Sequence, residues 1–334
     1  MEQKNLVNLT MFDLLKGVLM ILVVLRHSMV SSVDDSIFWR ILYSFMMPVF
    51  FITSGYWMKK RKFRAGVESS ARGLLKPFGV VLVTVNGIGA LHRLLSHNLE
   101  EWVNVFLIPT LLVRSGEESR IGTMWFVFAL FLSWCLFYGA VNLWKEQGQM
   151  IFACVCGVAA GLLMPWCLPF QISQGLAGFF FVYGGYQMKK KKLLEKRLSW
   201  GTGILIAGVW VLSIIYGSMD LAVYKMDHGL LSLPGSLCGA YLTIRLFLHL
   251  NCFEHVILDK IRWMGRYSMW ILCIHSVEGT VFPWKVLFAF IPQNSWAGVW
   301  AQFVLRWCFI GGVCWLLILG QRRLHQYKMR EECQ

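Results

Sequence analysis

Apolar residues along this chain are gathered into long stretches, and charged residues are gathered into short clusters between them. A stretch of about twenty apolar residues, coiled as an α-helix, spans roughly 30 Å of hydrocarbon at about 1.5 Å per residue. The pattern predicts an all-α protein, a polytopic transmembrane helical bundle of about ten spans in one integral membrane domain over residues 1–334. The predicted spans lie near 12–32, 37–58, 74–95, 122–144, 149–166, 171–188, 199–217, 230–250, 266–290 and 297–320.

Composition excludes a soluble chain, because 57% of the residues are hydrophobic and only 15% are charged. Most of the 10 cysteines lie in or beside the apolar stretches, where a thiol behaves as a small hydrophobic group. We therefore assign the chain neither a disulfide framework nor a metal site. The glycines of 175–178 and 184–185 also fall in predicted spans, where they favour close packing of helices.

Lys and Arg concentrate in alternate connections between the spans, for example at 59–62 and 189–192, whereas the other connections carry acidic residues such as Asp34 and Glu117. Positively charged loops stay on the cytoplasmic side of a membrane. The alternation predicts an even number of spans, cytoplasmic N- and C-termini and a place in the plasma (inner) membrane of a bacterium. The same alternation accounts for the net charge of +14, so no binding of nucleic acid is needed to explain it. The basic side can contact anionic membrane lipid or an anionic cofactor.

Ionisable residues inside the predicted spans are the strongest candidates for chemistry. Each costs at least about 2.5 kcal/mol in the bilayer, so it usually faces protein or a water-filled cavity. These residues are Arg26, His27, Arg245, His249, His275, Glu278 and Arg306. For Arg245, His249 and Arg306 we favour interhelical pairing or extension to the membrane surface over a catalytic role.

Two of these histidines are predicted to lie at similar depth. His27 follows Lys16 by eleven residues, about 16 Å along a helix, and His275 follows Arg266 by nine residues, about 13 Å. The pair can line one cavity, or each can be a structural histidine bonded to a backbone carbonyl. An imidazole in such a cavity can remove a proton from a hydroxyl or accept an acyl group itself.

Glu278 lies one turn from His275 and has two possible partners. It can orient the His275 imidazole as a carboxylate, or it can pair with Lys285 near the outer surface.

Several segments resemble the acyltransferase-3 membrane family. That family begins with a basic residue, ten intervening residues and a histidine, here Lys16 and His27 after the segment 12–17. Further resemblances follow in family order at Met47–Phe51 with Ser54–Tyr56, Arg72–Pro77, Trp125–Phe126, and Gly265–Ser268 continuing to His275. The set covers most of the chain and is most similar to the fucose O-acetylase-like branch.

The resemblance implies transfer of an acetyl group from acetyl-CoA, a co-substrate, to a hydroxyl of a cell-surface or exported carbohydrate, including lipid-linked acceptors. By that resemblance His27 is the catalytic histidine and Lys16 belongs to the same motif. The residues that would bind the CoA phosphates are Lys59, Lys60, Arg61, Arg72 and Lys76. Judged from charge alone, the basic loop is better explained as a signal that orients the protein in the membrane than as a binding site. Further candidates within the resembling segments are Asp13, Ser54 and Trp125.

Arg26 departs from the family pattern, in which a small or apolar residue precedes the histidine. Adjacent helical residues point about 100° apart, so Arg26 either enters the cavity of His27 or faces a neighbouring helix. In the second case it needs a partner, for which Glu278 is a candidate.

Two other functions remain open from the sequence. One is a transporter or exporter with a polar site at mid-membrane, although the two halves of the chain show no convincing repeat. The other is a sensor-type membrane module that shares this architecture.

Overall fold

The protein is a helical bundle, seen in a computed structural model that describes residues 8–29, 37–95, 103, 107–113, 121–227, 229–282, 284 and 295–331. Nearly all of these residues are helical, and a pair of two-residue strands forms the only sheet among them. The all-α, polytopic prediction is confirmed.

The helices follow one another with short connections. In chain order they are α1 (Leu9–His27), α2 (Ile37–Trp57), α3 (Phe63–Ser70), a π-helical turn (Ala71–Leu75), α4 (Lys76–Leu95), α5 (Ile108–Leu111), α6 (Trp125–Leu143), α7 (Glu146–Leu163), α8 (Ile172–Lys190), α9 (Trp200–Tyr216), α10 (Gly229–Leu250), α11 (Val256–Arg266), α12 (Ser268–Val281) and α13 (Trp296–Glu331). Short 3-10 turns occupy Gly122–Met124, Met164–Trp166, Pro169–Gln171 and Leu221–Val223. Strands β1 (Met219–Asp220) and β2 (Lys225–Met226) pair antiparallel.

A helix lies within or across each of the predicted apolar stretches. In the part of the chain that the structure describes, six helical segments are long and apolar enough to cross a bilayer. Those six are Ile37–Trp57, Phe63–Leu91, Gly122–Leu143, Glu146–Trp166, Leu231–Leu250 and Trp296–Gly320. The number of crossings, and the cytoplasmic position of the termini, stay predictions.

Helices α1 and α8 are not among the six, α1 because it carries the three charged residues Asp13, Lys16 and Arg26, and α8 because amide and glycine residues lower its hydropathy. They are also largely internal, with more than half of their residues buried. A helix that contacts protein on most sides can carry polar side chains that lipid would not tolerate. Polar residues of these two helices, such as Asp13 and Gln174, are therefore buried against protein rather than lipid.

Close backbone contact joins α8 to α2. A Cβ on Gly185 would overlap the Ile52 carbonyl oxygen, and a Cβ on Gly55 would overlap that of Val182. Gly178 likewise faces Ser133 and Phe51 with no space for a side chain. The predicted role of these glycines in helix packing is confirmed, since small residues let two backbones approach within van der Waals contact.

Helices α1 and α11 cross in the same way. Gly17 lies against the Ile261 carbonyl and Gly265 lies against the Asp13 carbonyl, so neither position accepts a Cβ. This crossing brings Arg266, at the end of α11, beside the first turns of α1.

The connections rich in Lys and Arg meet at one end of the bundle, which we call the basic end. Lys190 Nζ lies 2.5 Å from Glu146 Oε2, and Arg245 donates to the Lys196 carbonyl at 3.0 Å. Asn251 at the end of α10 donates to Asn8 at the start of α1 at 3.4 Å. Arg245, predicted to pair between helices or to extend to the surface, thus binds the connection between α8 and α9.

The opposite end carries the β1–β2 hairpin. Gln174 of α8 donates to the Leu221 carbonyl at 3.4 Å, and Gln171 donates to the Tyr224 hydroxyl at 3.3 Å. Met219 and Leu221 are buried beneath the hairpin. These contacts hold it against the ends of the helices, where it covers a cavity.

Candidate active site

His27 is the last residue of α1 and lines an internal cavity of about 220 Å³. Its side chain is exposed, and that exposed surface faces the cavity. The C-terminus of a helix carries a partial negative charge, which favours a cation there. An imidazole in this position is accessible to a substrate, and the helix C-terminus stabilises its protonated form.

The cavity follows α1 from Met20 to His27, about 10 Å at 1.5 Å per residue. Towards the basic end its walls are sulfur-containing and apolar, and around His27 they are polar and aromatic. The first group comprises Met20, Val23, Met46, Met47, Phe50, Met269 and Leu272, with Ser268. The second comprises Arg26, Tyr43, Thr123, Trp125, Phe126 and Asp220, with Ala222 and Val223 of the hairpin.

His275 lies directly behind His27. The ring centroids are 5.2 Å apart with the planes at 58°, so the two histidines of similar predicted depth are neighbours. Of the two alternatives left open for His275, cavity lining and a structural position, the structure has the buried one: the residue is 2% exposed and absent from the cavity wall. Helix α12 turns this side chain into the bundle, a direction that depth along a helix does not determine.

Glu278 is hydrogen-bonded to His275, with Nδ1 and Oε1 2.6 Å apart. Arg306 of α13 approaches the same oxygen at 3.5 Å, and the Trp284 indole N–H donates to the other oxygen. Glu278 is 1% exposed. Of the two partners considered from the sequence, the structure has His275; Lys285 lies outside the described residues. Arg306 forms the interhelical pair that was predicted for it.

Arg26 lines the same cavity as His27. Its Nε donates to the Tyr43 hydroxyl, and its guanidinium carbon lies 5.8 Å from the ring centroids of both Tyr43 and Trp39. Glu278, the partner suggested by sequence, bonds instead to Arg306, because α13 rather than α1 presents an arginine to it.

Lys16 lies at the other end of α1 from His27, about 16 Å away along the helix. Its Nζ is 2.9 Å from Asp13 Oδ1, and Arg266 Nε is 3.7 Å from Asp13 Oδ2. We call Asp13, Lys16 and Arg266 the basic-end cluster, and His27, His275, Glu278, Arg306 and Trp284 the histidine cluster. The two halves of the family motif therefore occupy different places, and Lys16 does not line the cavity wall.

The predicted CoA-binding residues lie on exposed surface before and along the first turns of the α3–α4 helix. Lys59, Lys60 and Lys76 are exposed. Arg61 donates to Ser69 Oγ at 2.7 Å, and Arg72, on the π-helical turn, lies 3.8 Å from Glu68. A helix from 63 to 95 is about 50 Å long, which exceeds the hydrocarbon thickness, so its basic beginning extends past the apolar layer. None of the five lines the cavity.

The two remaining candidates, Trp125 and Ser54, lie in different places relative to the cavity. Trp125 begins α6 and lines the cavity. Ser54 accepts a hydrogen bond from the Trp134 indole at 2.6 Å and does not reach the cavity wall, so its observed role is packing between α2 and α6.

Sequence reasoning missed Tyr43, Thr123, Asp220 and Trp284. Tyr43 is one aromatic residue among many in an apolar helix, and the other three lie in turns or connections. No periodic pattern marks a connection that folds back over a cavity. Only the charge of Asp220 is a local signal, and it does not indicate a neighbour.

Comparison with known proteins shows the family of the chain. The acyltransferase-3 family, described as an acyltransferase domain, matches residues 10–319. The nodulation protein NolL of Mesorhizobium japonicum is 24% identical over 224 residues, which cover 61% of this chain and 52% of that protein. The chain thus spans about half the length of this curated relative. No solved structure matches it. The chain belongs to the acyltransferase-3 family, and its apolar helices are those of an integral membrane protein.

Proposed function

We propose that this protein moves an acetyl group from acetyl-CoA to a hydroxyl of a cell-surface or exported carbohydrate, with His27 as the catalytic residue. The observation that carries the proposal is the accessible His27 imidazole in a cavity with polar and aromatic walls. Sugars bind through hydroxyl hydrogen bonds and through stacking of their apolar faces. Tyr43, Trp125 and Asp220 supply both kinds of contact around His27.

The donor enters from the basic end, which faces the cytoplasm. Cationic side chains of the basic loop and Lys16 bind the CoA phosphates by charge-assisted hydrogen bonds. The methionine-rich half of the cavity receives the flexible pantetheine, since thioether side chains adapt to irregular ligands. A cavity of about 220 Å³ is below the usual size of a ligand pocket, about 300–1,000 Å³, so it holds only the reacting ends of the two substrates.

Two routes of transfer use the same imidazole. In the direct route His27 takes the proton of the acceptor hydroxyl, the oxygen forms a bond to the thioester carbon, and the C–S bond breaks. The proton then passes to the departing sulfur, which leaves as CoA thiol. In the relay route the imidazole nitrogen attacks the thioester carbon and the C–S bond breaks, so CoA leaves as the thiolate. The hydroxyl oxygen then bonds to the acetyl carbon, the N–C bond to His27 breaks, and the hydroxyl proton passes to the freed imidazole and on to the thiolate or solvent.

The test is CoA-thiol release by purified, lipid-reconstituted protein supplied with acetyl-CoA and a cell-envelope glycan fraction. His27→Ala should reduce release by about 10²–10⁴-fold, the usual contribution of a positioned acid–base group. His249→Ala is the matched control, because His249 is exposed near the basic end and outside the cavity.

Equal release from wild type and a folded His27→Ala protein would move the chemistry to another residue. Binding of acetyl-CoA without release would indicate that the acceptor class is wrong. If acetyl-CoA does not bind and a labelled solute crosses the membrane independently of His27, the protein is a transporter. Trapped acetyl-histidine in the His27 peptide would select the relay route over the direct one.

A further inference from the structure

Behind His27 the bundle buries three ionisable side chains that the transfer itself does not contact. His275, Glu278 and Arg306 are at most 8% exposed, and none lines the cavity. They come from two helices, α12 and α13. Hydrogen bonds join them in the order Arg306, Glu278, His275, and the next group in contact is the His27 ring.

Such a set is not favoured by stability alone. Removing charges from water is costly, and apolar residues of similar volume are often as good or better in a protein interior. Ionisable groups within membrane helices accordingly mark sites of proton or ion chemistry. Glu278 nevertheless has both carboxylate oxygens hydrogen-bonded, one of them to an indole.

The bonding of Glu278 decides which nitrogen of His275 carries a proton. An ionised carboxylate is only an acceptor, so the proton between Nδ1 and Oε1 lies on Nδ1. In a neutral imidazole the other nitrogen is then an acceptor. Nε2 of His275 is therefore able to receive a hydrogen bond from a protonated nitrogen of a neighbouring ring, and His27 is that neighbour.

We infer that His275 and Glu278, with Arg306 and Trp284 holding the carboxylate, are positioning residues that set the tautomer of His27 during transfer. An N–H of His27 donates to Nε2 of His275, which leaves the lone pair of the other His27 nitrogen directed into the cavity. This inference rests on the proposed acyl transfer and adds to it the group that prepares the imidazole. In the present geometry the rings are in contact, and catalytic hydrogen bonds often shorten only when substrate is bound.

The same arrangement supports charge during the reaction. When His27 takes the hydroxyl proton, it becomes an imidazolium beside Arg26, which lines the same cavity. The negative charge of Glu278 offsets that positive charge through the shared His275 ring. In the relay route it offsets the charge of an acetylated imidazole in the same way. In the direct route the proton moves only from the acceptor oxygen to His27 and then to the leaving sulfur.

The rival explanation is purely structural, in which Glu278 only joins α12 to α13 through Arg306. The variant Glu278→Gln distinguishes the positioning role from the purely structural role, because glutamine keeps the shape of the side chain and removes its charge. Glu278→Asp restores the charge on a shorter stem. We expect kcat to fall about 100-fold in Glu278→Gln with KM changed less than twofold, and to recover at least tenfold in Glu278→Asp.

A second readout does not depend on acyl transfer. Diethyl pyrocarbonate modifies neutral imidazole nitrogens, and peptide mass spectrometry gives the rate at each histidine. We expect Glu278→Gln to slow modification of His27 about tenfold while the exposed His249 reacts at its wild-type rate. His249 thus serves as a control within the same molecule.

Unchanged kcat and unchanged His27 modification in a folded Glu278→Gln protein would overturn the inference. A loss of kcat that follows a lower unfolding temperature, with His27 modification unaltered, would overturn it in favour of the structural explanation. If wild type releases no CoA thiol with any acceptor, the proposed function fails, whereas the modification rates still test the link from Glu278 to His27.

Discussion

Helix α1 carries a charged cluster at each end, and the two clusters differ in their contact with water. In the basic-end cluster the Lys16 side chain is 26% exposed and that of Arg266 is 63% exposed. In the histidine cluster the side chain of Glu278 is 0% exposed and that of Arg306 is 9% exposed. Both clusters contain one largely buried carboxylate between two nitrogen-bearing side chains, and they differ in how far those partners are exposed.

Burial changes what such a cluster can do. Exposed ion pairs contribute about 0–1 kcal/mol, because water screens them and both side chains lose freedom. A buried carboxylate needs all of its hydrogen-bond partners, and loss of one partner leaves an uncompensated charge. The basic-end cluster is therefore suited to exchanging an anionic ligand for its own partners, whereas the histidine cluster is suited to fixing one imidazole geometry.

The largest expected effect on stability is at the centre of the histidine cluster. Arg306→Leu leaves the Glu278 carboxylate buried beside an apolar side chain, which should lower the free energy of unfolding by about 3–5 kcal/mol. Thermal unfolding in detergent measures it. The double variant Glu278→Leu with Arg306→Leu should regain most of that stability and remain inactive. A change below about 1 kcal/mol in the single variant would show that water reaches the cluster.

An intermediate effect is expected where α11 meets α1. Gly265→Ala places a Cβ against the Asp13 carbonyl oxygen, which should cost about 1–3 kcal/mol through forced separation of the helices. Gly311→Ala is the matched control, because a Cβ there meets open space, and it should stay within about 0.5 kcal/mol of wild type. Equal effects at both positions would mean that the α1–α11 contact is loose.

The smallest expected stability effect is at Lys16. Lys16→Ala breaks a partly exposed pair with Asp13 and should change the free energy of unfolding by less than about 1 kcal/mol. If the basic end binds the donor, the same variant should raise KM for acetyl-CoA about tenfold, the loss of one charged hydrogen bond, with kcat nearly unchanged. Steady-state kinetics beside thermal unfolding give both numbers. A fall in kcat at constant KM would instead make Lys16 part of the chemical step.

Helix positions and the identity of His27 followed well from the sequence. An apolar stretch must be long enough to cross the bilayer and must satisfy its backbone internally, so length and hydropathy predict helices directly. His27 stood out because an ionisable group in such a stretch is costly. Its meeting with His275 also followed, since equal depth on two helices needs only the rise per residue.

Directions around each helix were harder to predict. The sequence left two positions open for His275 and two for Arg26; the structure buries His275 behind the cavity and places Arg26 in the cavity wall, bonded to Tyr43. Both choices concern rotation about a helix axis, which depends on neighbours from distant parts of the chain. Trp284 was expected inside the span 266–290 but lies beyond the end of α12 at Val281, and Asp220 could not be placed because connections carry no periodic pattern.

By itself, the sequence determined a helical membrane protein of the acyltransferase-3 family with a histidine at depth in its first helix. These features depend on the length and apolar character of local segments and on a short motif. Both can be recognised in the sequence without knowing which residues are in contact. The tertiary structure alone decided which helices are internal, which imidazole faces the cavity and which one stands behind it. Those outcomes depend on close contacts between residues far apart in the chain, such as His27 with His275 and Glu278 with Arg306.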